Sequence, residues 1–138
     1  MLYPAELRAL LARPNLIGQN WQFTGQRLAM YVSITGLKVR SWVQVPLFWR
    51  HAIPSLQQAK RAPGNLFADV RKVDGVQHTL TVWDDRKAMR SYLSSGAHLR
   101  AIRAFRVIGS GRVCGYETDR QPGWDEALEY WHQYAREY

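Results

Sequence analysis

The sequence has little cysteine: Cys114 is the one such residue among 138. A single thiol excludes an internal disulfide and a cysteine-based zinc cluster, so Cys114 is interpreted as a small core residue. No apolar run reaches the roughly 18 residues that a bilayer span requires. The amino terminus also lacks the basic-then-apolar layout of a secretory signal. We therefore expect a cytoplasmic protein without a membrane span.

Motifs of several familiar chemistries are missing as well. The four histidines show none of the His-x-x-Glu-His or Glu-x-x-His spacings of metal sites, so no metal ligand is predicted. The glycines of Gly109-Ser110-Gly111 follow a predicted helix and turn the chain into a strand, which reverses the order of a dinucleotide-binding fingerprint. Asp84 and Asp85 are better explained by helix capping than by paired-carboxylate catalysis.

What is present is the composition of a folded domain with an excess of positive charge. Hydrophobic residues make up 46% and charged residues 22%, and the length predicts a single domain over residues 1–138. The net charge of +8 is uneven, because residues 117–138 hold six acidic residues and only two basic ones. A basic body can meet nucleic acid or anionic lipid. No nucleic-acid-binding motif occurs, so a nucleic-acid partner is not expected and a solvated basic surface is the preferred interpretation.

Hydrophobic periodicity and turn signals predict the order strand, helix, strand, strand, helix, strand, with an extra helix at each end. This is the ferredoxin-like βαββαβ pattern of an α+β fold. The Asp74-Gly75 pair predicts a hairpin, and Gly36 suggests a bulge or bend in the first strand. The predicted elements are a helix at 4–12, a loop at 15–26, strands at 27–40, 66–73, 77–84 and 112–118, a helix at 46–61 kinked or divided at Pro54, a helix capped by Asp84 or Asp85 and broken at Ser94-Ser95-Gly96, its continuation at 97–108, and a closing helix from Trp124.

The predicted sheet has two apolar faces, and its own two helices cover only one of them. An exposed apolar face of that size usually marks an interface. Pairing of this face with a second copy would close it symmetrically. We therefore predict a homodimer in which each chain forms half of a dimeric α+β barrel.

Four phrases of the sequence carry a resemblance to a known family. They are Gly36–Arg40, Gln58–Gly64, His78–Asp84, and Ala88-Met89-Arg90 followed by Ser95-Gly96-Ala97-His98. Through these phrases the chain resembles spheroidene-monooxygenase-like proteins within the antibiotic-biosynthesis-monooxygenase superfamily of dimeric α+β barrels. The resemblance covers roughly residues 28–118 and implies a small pocket between the sheet and its helices. In that superfamily such pockets serve cofactor-free oxygenation, haem chemistry, or isomerase and lyase reactions.

Two histidines are the candidate catalytic residues. His98 shares a helical stripe with Ala101, Phe105 and other apolar residues, where an imidazole can act as a general base or a haem ligand. The competing interpretation is a structural histidine that binds main chain beside the Ser-Gly break. His78 alternates with Leu80 and Val82 on a strand, and it is the second candidate beside a core or interface role. Related sequences often carry an aromatic residue at its position.

Four further residues are candidate ligand contacts. Trp49 and Trp83 can stack on a flat ligand, although both are also suited to the core. Tyr116 can donate a hydrogen bond to a ligand oxygen. Arg40 can pair with an acidic ligand group or with Asp69.

The leading hypothesis is a monooxygenase-like protein that binds a small apolar or aromatic ligand between the sheet and its helices. The cofactor is either none, in which case the substrate supplies the electrons, or haem with His98 or His78 as the axial ligand. The alternative is a non-catalytic dimeric ligand-binding or scaffold protein of the same fold. If both histidine rings bind main chain, the enzyme hypothesis is weakened.

Overall fold

The computed structural model of the protein describes residues 29–137. The predicted helix at 4–12 and loop at 15–26 lie outside those residues. The α+β class, the central order of strands and helices and the break at Ser94–Gly96 are confirmed. In chain order the elements are β1 Met30–Val39, a short 3-10 turn Trp42–Gln44, α1 Val45–Arg61, β2 Asn65–Val73, β3 Val76–Trp83, α2 Arg86–Leu93, α3 Gly96–Ile108, β4 Gly109–Thr118, α4 Trp124–Tyr134 and β5 Arg136–Glu137.

The strands form one antiparallel sheet in the order β2-β3-β1-β4-β5. β1 is the central strand; its buried Val32 and Ile34 lie on one face, and its buried Leu37 lies on the other. The β2–β3 hairpin closes with Val73 opposite Val76, which leaves Asp74 and Gly75 as a two-residue loop. Their φ angles of 50° and 78° are the left-handed values that this turn requires. The predicted Asp-Gly hairpin is therefore confirmed.

Helices α1, α2 and α3 cover one face of the sheet, which we call the helix-layer face. Near the start of β1, Tyr31 and Trp83 of this face pack with residues of α1 and α2. Near the end of β1, Leu37 packs with Phe48 of α1 and Ile108 of α3. Helix α1 continues through the exposed Pro54, so the proline does not divide the helix into two pieces.

Helix α4 covers the opposite face, which we call the α4 face. Val32, Ile34, Leu80 and Val82 of the sheet form one buried cluster with residues of α4. The helix has a strongly apolar stripe because Trp124, Leu128 and Trp131 recur at helical spacing. The expectation that this face is left open is wrong, because the protein's own closing helix lies on it. A homodimer remains a prediction, but pairing through this face would require α4 to move away.

Three hydrogen bonds fix α4 on the sheet. The indole Nε1–H of Trp131 donates to the main-chain oxygen of Arg112 at 2.9 Å. The indole Nε1–H of Trp124 donates to Asp69 Oδ2 at 3.0 Å. The Arg112 guanidinium donates to the main-chain oxygen of Ala135 at 3.0 Å and lies over the Trp131 ring. Because both indoles are partnered, the helix is held in one position along the strands.

Two glycine interpretations change in the structure. β1 is paired without a register shift at Gly36, so the predicted bulge is wrong, and the bulge occurs instead between Asn65 and Phe67. Gly36 is needed because a Cβ there would meet the Trp131 indole and the His78 ring. Strand β4 begins at Gly109 rather than at the predicted residue 112. The segment Gly109-Ser110-Gly111 is therefore part of the strand and not a turn.

Candidate ligand site between the sheet and its helices

Trp83 is the fully buried residue at the centre of the candidate site. It ends β3 on the helix-layer face, and its ring stacks on Tyr92 of α2 with 5.1 Å between centroids and 30° between planes. Among residues 29–137, no acceptor lies within hydrogen-bond distance of its indole Nε1–H. A buried donor without an acceptor costs about 1–3 kcal/mol, so such groups are rare and often belong to functional sites.

Tyr92 links this tryptophan to a polar group of α1. Its hydroxyl lies 2.9 Å from Ser55 Oγ and donates to the Ser55 main-chain oxygen at 3.0 Å. Burial raises the pKa of Tyr92 to about 12, and the Ser55 hydrogen bond opposes this only in part. The phenol is therefore neutral at physiological pH. Ser55 is one of the buried polar residues of the core.

His98 is the third member of this group and lies beside Tyr92. The two rings are 4.3 Å apart between centroids, and His98 Nδ1 is 3.4 Å from the main-chain oxygen of Leu93. Because a carbonyl oxygen only accepts, Nδ1 carries the proton and Nε2 is the unprotonated nitrogen. Burial lowers the pKa of His98, and the hydrogen bond to Leu93 opposes that shift. The ring is therefore neutral and can accept a proton at Nε2.

Gln58 of α1 positions the start of the helix that carries His98. Its Oε1 accepts from the His98 main-chain N–H at 2.9 Å, and its Nε2 donates to the Ser95 main-chain oxygen at 2.9 Å. The side chain thus satisfies one of the free N–H groups at the amino end of α3, which otherwise lacks a side-chain cap. We call Trp83, Tyr92, Ser55 and His98 the Trp83 site.

His78 lies on the other side of the sheet, against α4. It is 2% exposed, its ring is 4.6 Å from that of Trp131, and its Nδ1–H donates to the Thr35 main-chain oxygen at 3.1 Å. Burial lowers its pKa, with a smaller contribution from His132 in the same direction and an opposing one from the Thr35 hydrogen bond. Its sharing of a face with Leu80 and Val82 is as the strand alternation predicts.

Tyr116 also lies on the α4 face and so is separated from Trp83 by the sheet. Its ring is 4.1 Å from that of Tyr130, and its hydroxyl is buried without a hydrogen-bond partner. Burial is the largest cause that raises the pKa of Tyr116, to about 12, and Glu126 adds to it. Two of the six predicted site residues, His78 and Tyr116, therefore belong to the core under α4.

Trp49 and Arg40 lie in neither group. The ring of Trp49 packs edge-on against that of Phe48, with 5.1 Å between centroids, beside the buried cluster of Leu37, Phe48 and Ile108. Arg40 is exposed after the end of β1. Asp69, its suggested partner, instead accepts a hydrogen bond from Trp124. In the sheet, Asp69 is level with Ile34 of β1. Arg40 follows Ile34 by six residues, so Arg40 lies about 20 Å from Asp69 along the strand.

A groove of about 800 Å³ lies beside the Trp83 site, between the end of α1, the turn into β2 and helix α2. It is open to solvent and is lined by charged and small residues, among them Arg61, Gly64, Asp84 and Lys87. None of the six predicted site residues lines it. Tyr92 lines the groove and also contacts Trp83 and His98, so its side chain lies between the groove and the Trp83 site.

Among residues 29–137, the surroundings of the two candidate histidines do not fit a haem. His78 is enclosed by Trp131 and Gly36 on the α4 face, and His98 is packed against Tyr92 outside the lining of the groove. Neither histidine lines the groove beside the Trp83 site. Within residues 29–137, no group of three or more His, Cys, Asp or Glu side chains is placed to hold a metal ion. No helix in that same range is long and apolar enough to cross a membrane.

Sequence reasoning did not find Ser55, Gln58 or the role of Tyr92. The contacts Ser55–Tyr92 and Gln58–His98 join residues 37 and 40 positions apart. The one available signal was the three-residue spacing of Met89 and Tyr92, which places both on the buried face of α2.

Comparison with known proteins gives the fold and no more. No protein-family model matches the sequence, and no curated protein matches it. Among solved structures, the chain is similar to SnoaB, a cofactor-independent oxygenase from Streptomyces nogalater, with 19% identity and a TM-score of 0.56 over 67% of this chain and 95% of SnoaB. It is also similar to a protein from Deinococcus radiodurans provisionally named an antibiotic biosynthesis monooxygenase, with 18% identity and a TM-score of 0.60 over 67% and 96%.

A conserved protein from Methanosarcina mazei matches with 11% identity and a TM-score of 0.60, over 66% of this chain and 94% of that protein. The chain thus shares the ferredoxin-like α+β fold of these solved structures. About a third of it has no counterpart in those structures, which are matched almost over their whole length.

Proposed function

We propose that the protein is monooxygenase-like and binds a small, flat, oxygen-bearing aromatic ligand at the Trp83 site. The observation that carries the proposal is the fully buried indole N–H of Trp83, which has no acceptor. A ligand carbonyl or phenolate oxygen would supply that acceptor, and the aromatic rings of Trp83 and Tyr92 would stack on the ligand's ring system. The resemblance to spheroidene-monooxygenase-like proteins, which implies a pocket in this layer, supports the same location.

Entry of a ligand requires Tyr92 to move. Its hydroxyl is held by Ser55, while its ring lines the groove on one side and contacts Trp83 on the other. Rotation of this one side chain joins the groove to the Trp83 site. The ligand then displaces a stacking contact worth about 0.5–1.5 kcal/mol and replaces it with its own.

His98 is the base of the proposed reaction. Its neutral ring, with the unprotonated Nε2, takes a proton from an activated methylene or a phenol, and the resulting electron-rich anion reacts with dioxygen. When the methylene becomes a ketone, the substrate gives up two hydrogen atoms and four electrons in all. One oxygen atom enters the ketone and the other leaves as water, so no further reductant is needed.

Anthrone is a suitable probe because its enol is electron-rich and its reaction with dioxygen gives anthraquinone and water. We expect the wild-type protein to bind anthrone and to form anthraquinone faster than buffer does. His98→Gln should retain binding and lose the rate enhancement. Trp83→Phe should weaken binding by roughly tenfold or less, the value of one hydrogen bond. Tyr116→Phe, which removes the second unpartnered buried polar group found among residues 29–137, is the matched control and should change neither.

The alternative, a non-catalytic ligand-binding or scaffold protein, is favoured by a specific observation. The rings of His98 and His78 both hydrogen-bond main chain, as structural histidines do. Anthrone binding that depends on Trp83 without any anthraquinone above the buffer rate would support this alternative. Binding that is equal in wild type and Trp83→Phe would contradict both versions of the site.

A further inference from the structure

A cluster of exposed apolar side chains lies at one end of the helix layer, away from the Trp83 site. Trp42 is 83% exposed and Val107 is 69% exposed, which is unusual for residues of this size and polarity. We call this cluster the Trp42 patch. Its members are Trp42, Val43, Leu47 and Val107.

The members of the patch come from two segments that meet in space. The main-chain N–H of Arg40 donates to the Ile108 oxygen at 2.9 Å, which brings the residues before α1 next to the end of α3. Phe48 of α1 stacks on Phe105 of α3 at 5.1 Å between centroids, beneath the patch. The start of α1 and the end of α3 are therefore neighbours, so the exposed residues just before and at the start of α1 lie near the end of α3 that carries Val107.

The two segments that carry the patch contain basic residues and no acidic ones. From Lys38 to Ala68 the sequence has five Lys or Arg residues, and from Arg86 to Tyr116 it has seven, with no Asp or Glu in either segment. Arg40, Arg50, Arg103 and Arg106 are exposed on these elements, and none of the ion pairs among residues 29–137 involves them.

We propose that the Trp42 patch docks on the surface of an anionic lipid bilayer. The interfacial region of a bilayer accepts tryptophan at the depth of the headgroups and aliphatic side chains at the acyl boundary, while arginines pair with anionic headgroups. Each Lys or Arg near such a surface contributes about 1 kcal/mol, which corresponds to roughly fivefold in partition. The charge of the surface complements this partner, and the protein rests on the bilayer without crossing it.

Two other occupants fit the same observations less well. Nucleic acid would use the arginines but has no place for an aliphatic cluster of this extent, since its phosphates and base edges are polar. A second copy of the same surface would bring like charges together. The combination of exposed apolar side chains with an acid-free surround is the pattern of an interfacial membrane surface.

The proposal is tested by co-sedimentation of the full chain with two kinds of vesicle, one of phosphatidylcholine and one of equal parts phosphatidylcholine and phosphatidylglycerol. We expect binding to the anionic vesicles that weakens with added salt, and much weaker binding to the neutral ones. Arg103→Glu should lower the partition constant by roughly fivefold or more. Trp42→Ser should also lower it several-fold, because the anchor in the headgroup region is lost.

Two matched variants separate the patch from general effects. Arg136→Glu makes the same charge change on the exposed strand β5, and Leu66→Ser removes a half-exposed apolar side chain of β2. Both should bind anionic vesicles nearly as well as wild type. Absence of vesicle binding, equal loss in Arg136→Glu and Arg103→Glu, or insensitivity to Trp42→Ser would overturn the proposal. So would duplex DNA binding that explains the salt dependence, or a dimer that Trp42→Ser dissociates.

Discussion

The main chain of Gly36 lies directly beneath the indole of Trp131, and this contact sets how closely α4 approaches the sheet. A Cβ at position 36 would overlap the indole and touch the His78 ring. Gly36→Ala should therefore destabilise the protein by about 1–3 kcal/mol, the usual effect of overpacking. Urea unfolding would measure the change. Gly123→Ser, which puts a side chain into open space and suits the N-cap of α4, is the control and should not destabilise the protein.

The carboxylate of Asp85 caps helix α2 by accepting from the main-chain N–H of Ala88 at 2.8 Å. Asp85→Ala should lower the free energy of unfolding by about 1 kcal/mol because one helical N–H loses its acceptor. Asp84→Ala is the adjacent control, since the Asp84 side chain does not cap the helix. Equal losses from the two substitutions would show that the cap contributes nothing of its own.

Stability should fall as the medium becomes acidic, because two histidines are buried as neutral rings. Burial lowers the pKa values of His78 and His98 below their ordinary value of 6.5 in the folded state. The unfolded chain therefore binds more protons below that pH, so the stabilisation is complete above pH 6.5 and is lost as the pH falls toward the folded pKa values. Urea unfolding across this range should show a smaller pH dependence for His78→Gln and for His98→Gln. An unchanged slope in both variants would contradict the assignment.

Much of the fold follows from local patterns in the sequence. Alternation in β1 and β3 places His78, Leu80 and Val82 on one face, and Asp74-Gly75 determines the hairpin, because both depend on neighbours along the chain. The position of α4 does not follow in this way. The apolar stripe of Trp124, Leu128 and Trp131 shows that the helix buries one face, but not that its own sheet, rather than a partner, covers it.

The candidate site is less predictable than the fold for the same reason. Trp83 and His98 belong to segments with recognisable patterns, whereas Ser55 joins Tyr92 across 37 residues of sequence. Sequence reasoning grouped His98 with His78 and Trp83 with Tyr116, and the sheet separates the members of each pair. Which strand face a residue occupies can be predicted from alternation, but which face holds the ligand cannot.

In the proposed complex, a ligand supplies the acceptor that the buried indole N–H of Trp83 lacks among residues 29–137. A nitrogen–proton correlation spectrum resolves the indole N–H groups of the six tryptophans, and the Trp83→Phe variant identifies the signal of Trp83. Titration with anthrone in the absence of dioxygen should shift the Trp83 signal downfield, because its N–H gains an acceptor. The signals of Trp124 and Trp131 should stay in place, because their indoles already donate to Asp69 and to the main chain of Arg112. A Trp83 signal that does not move at saturating anthrone would contradict the account.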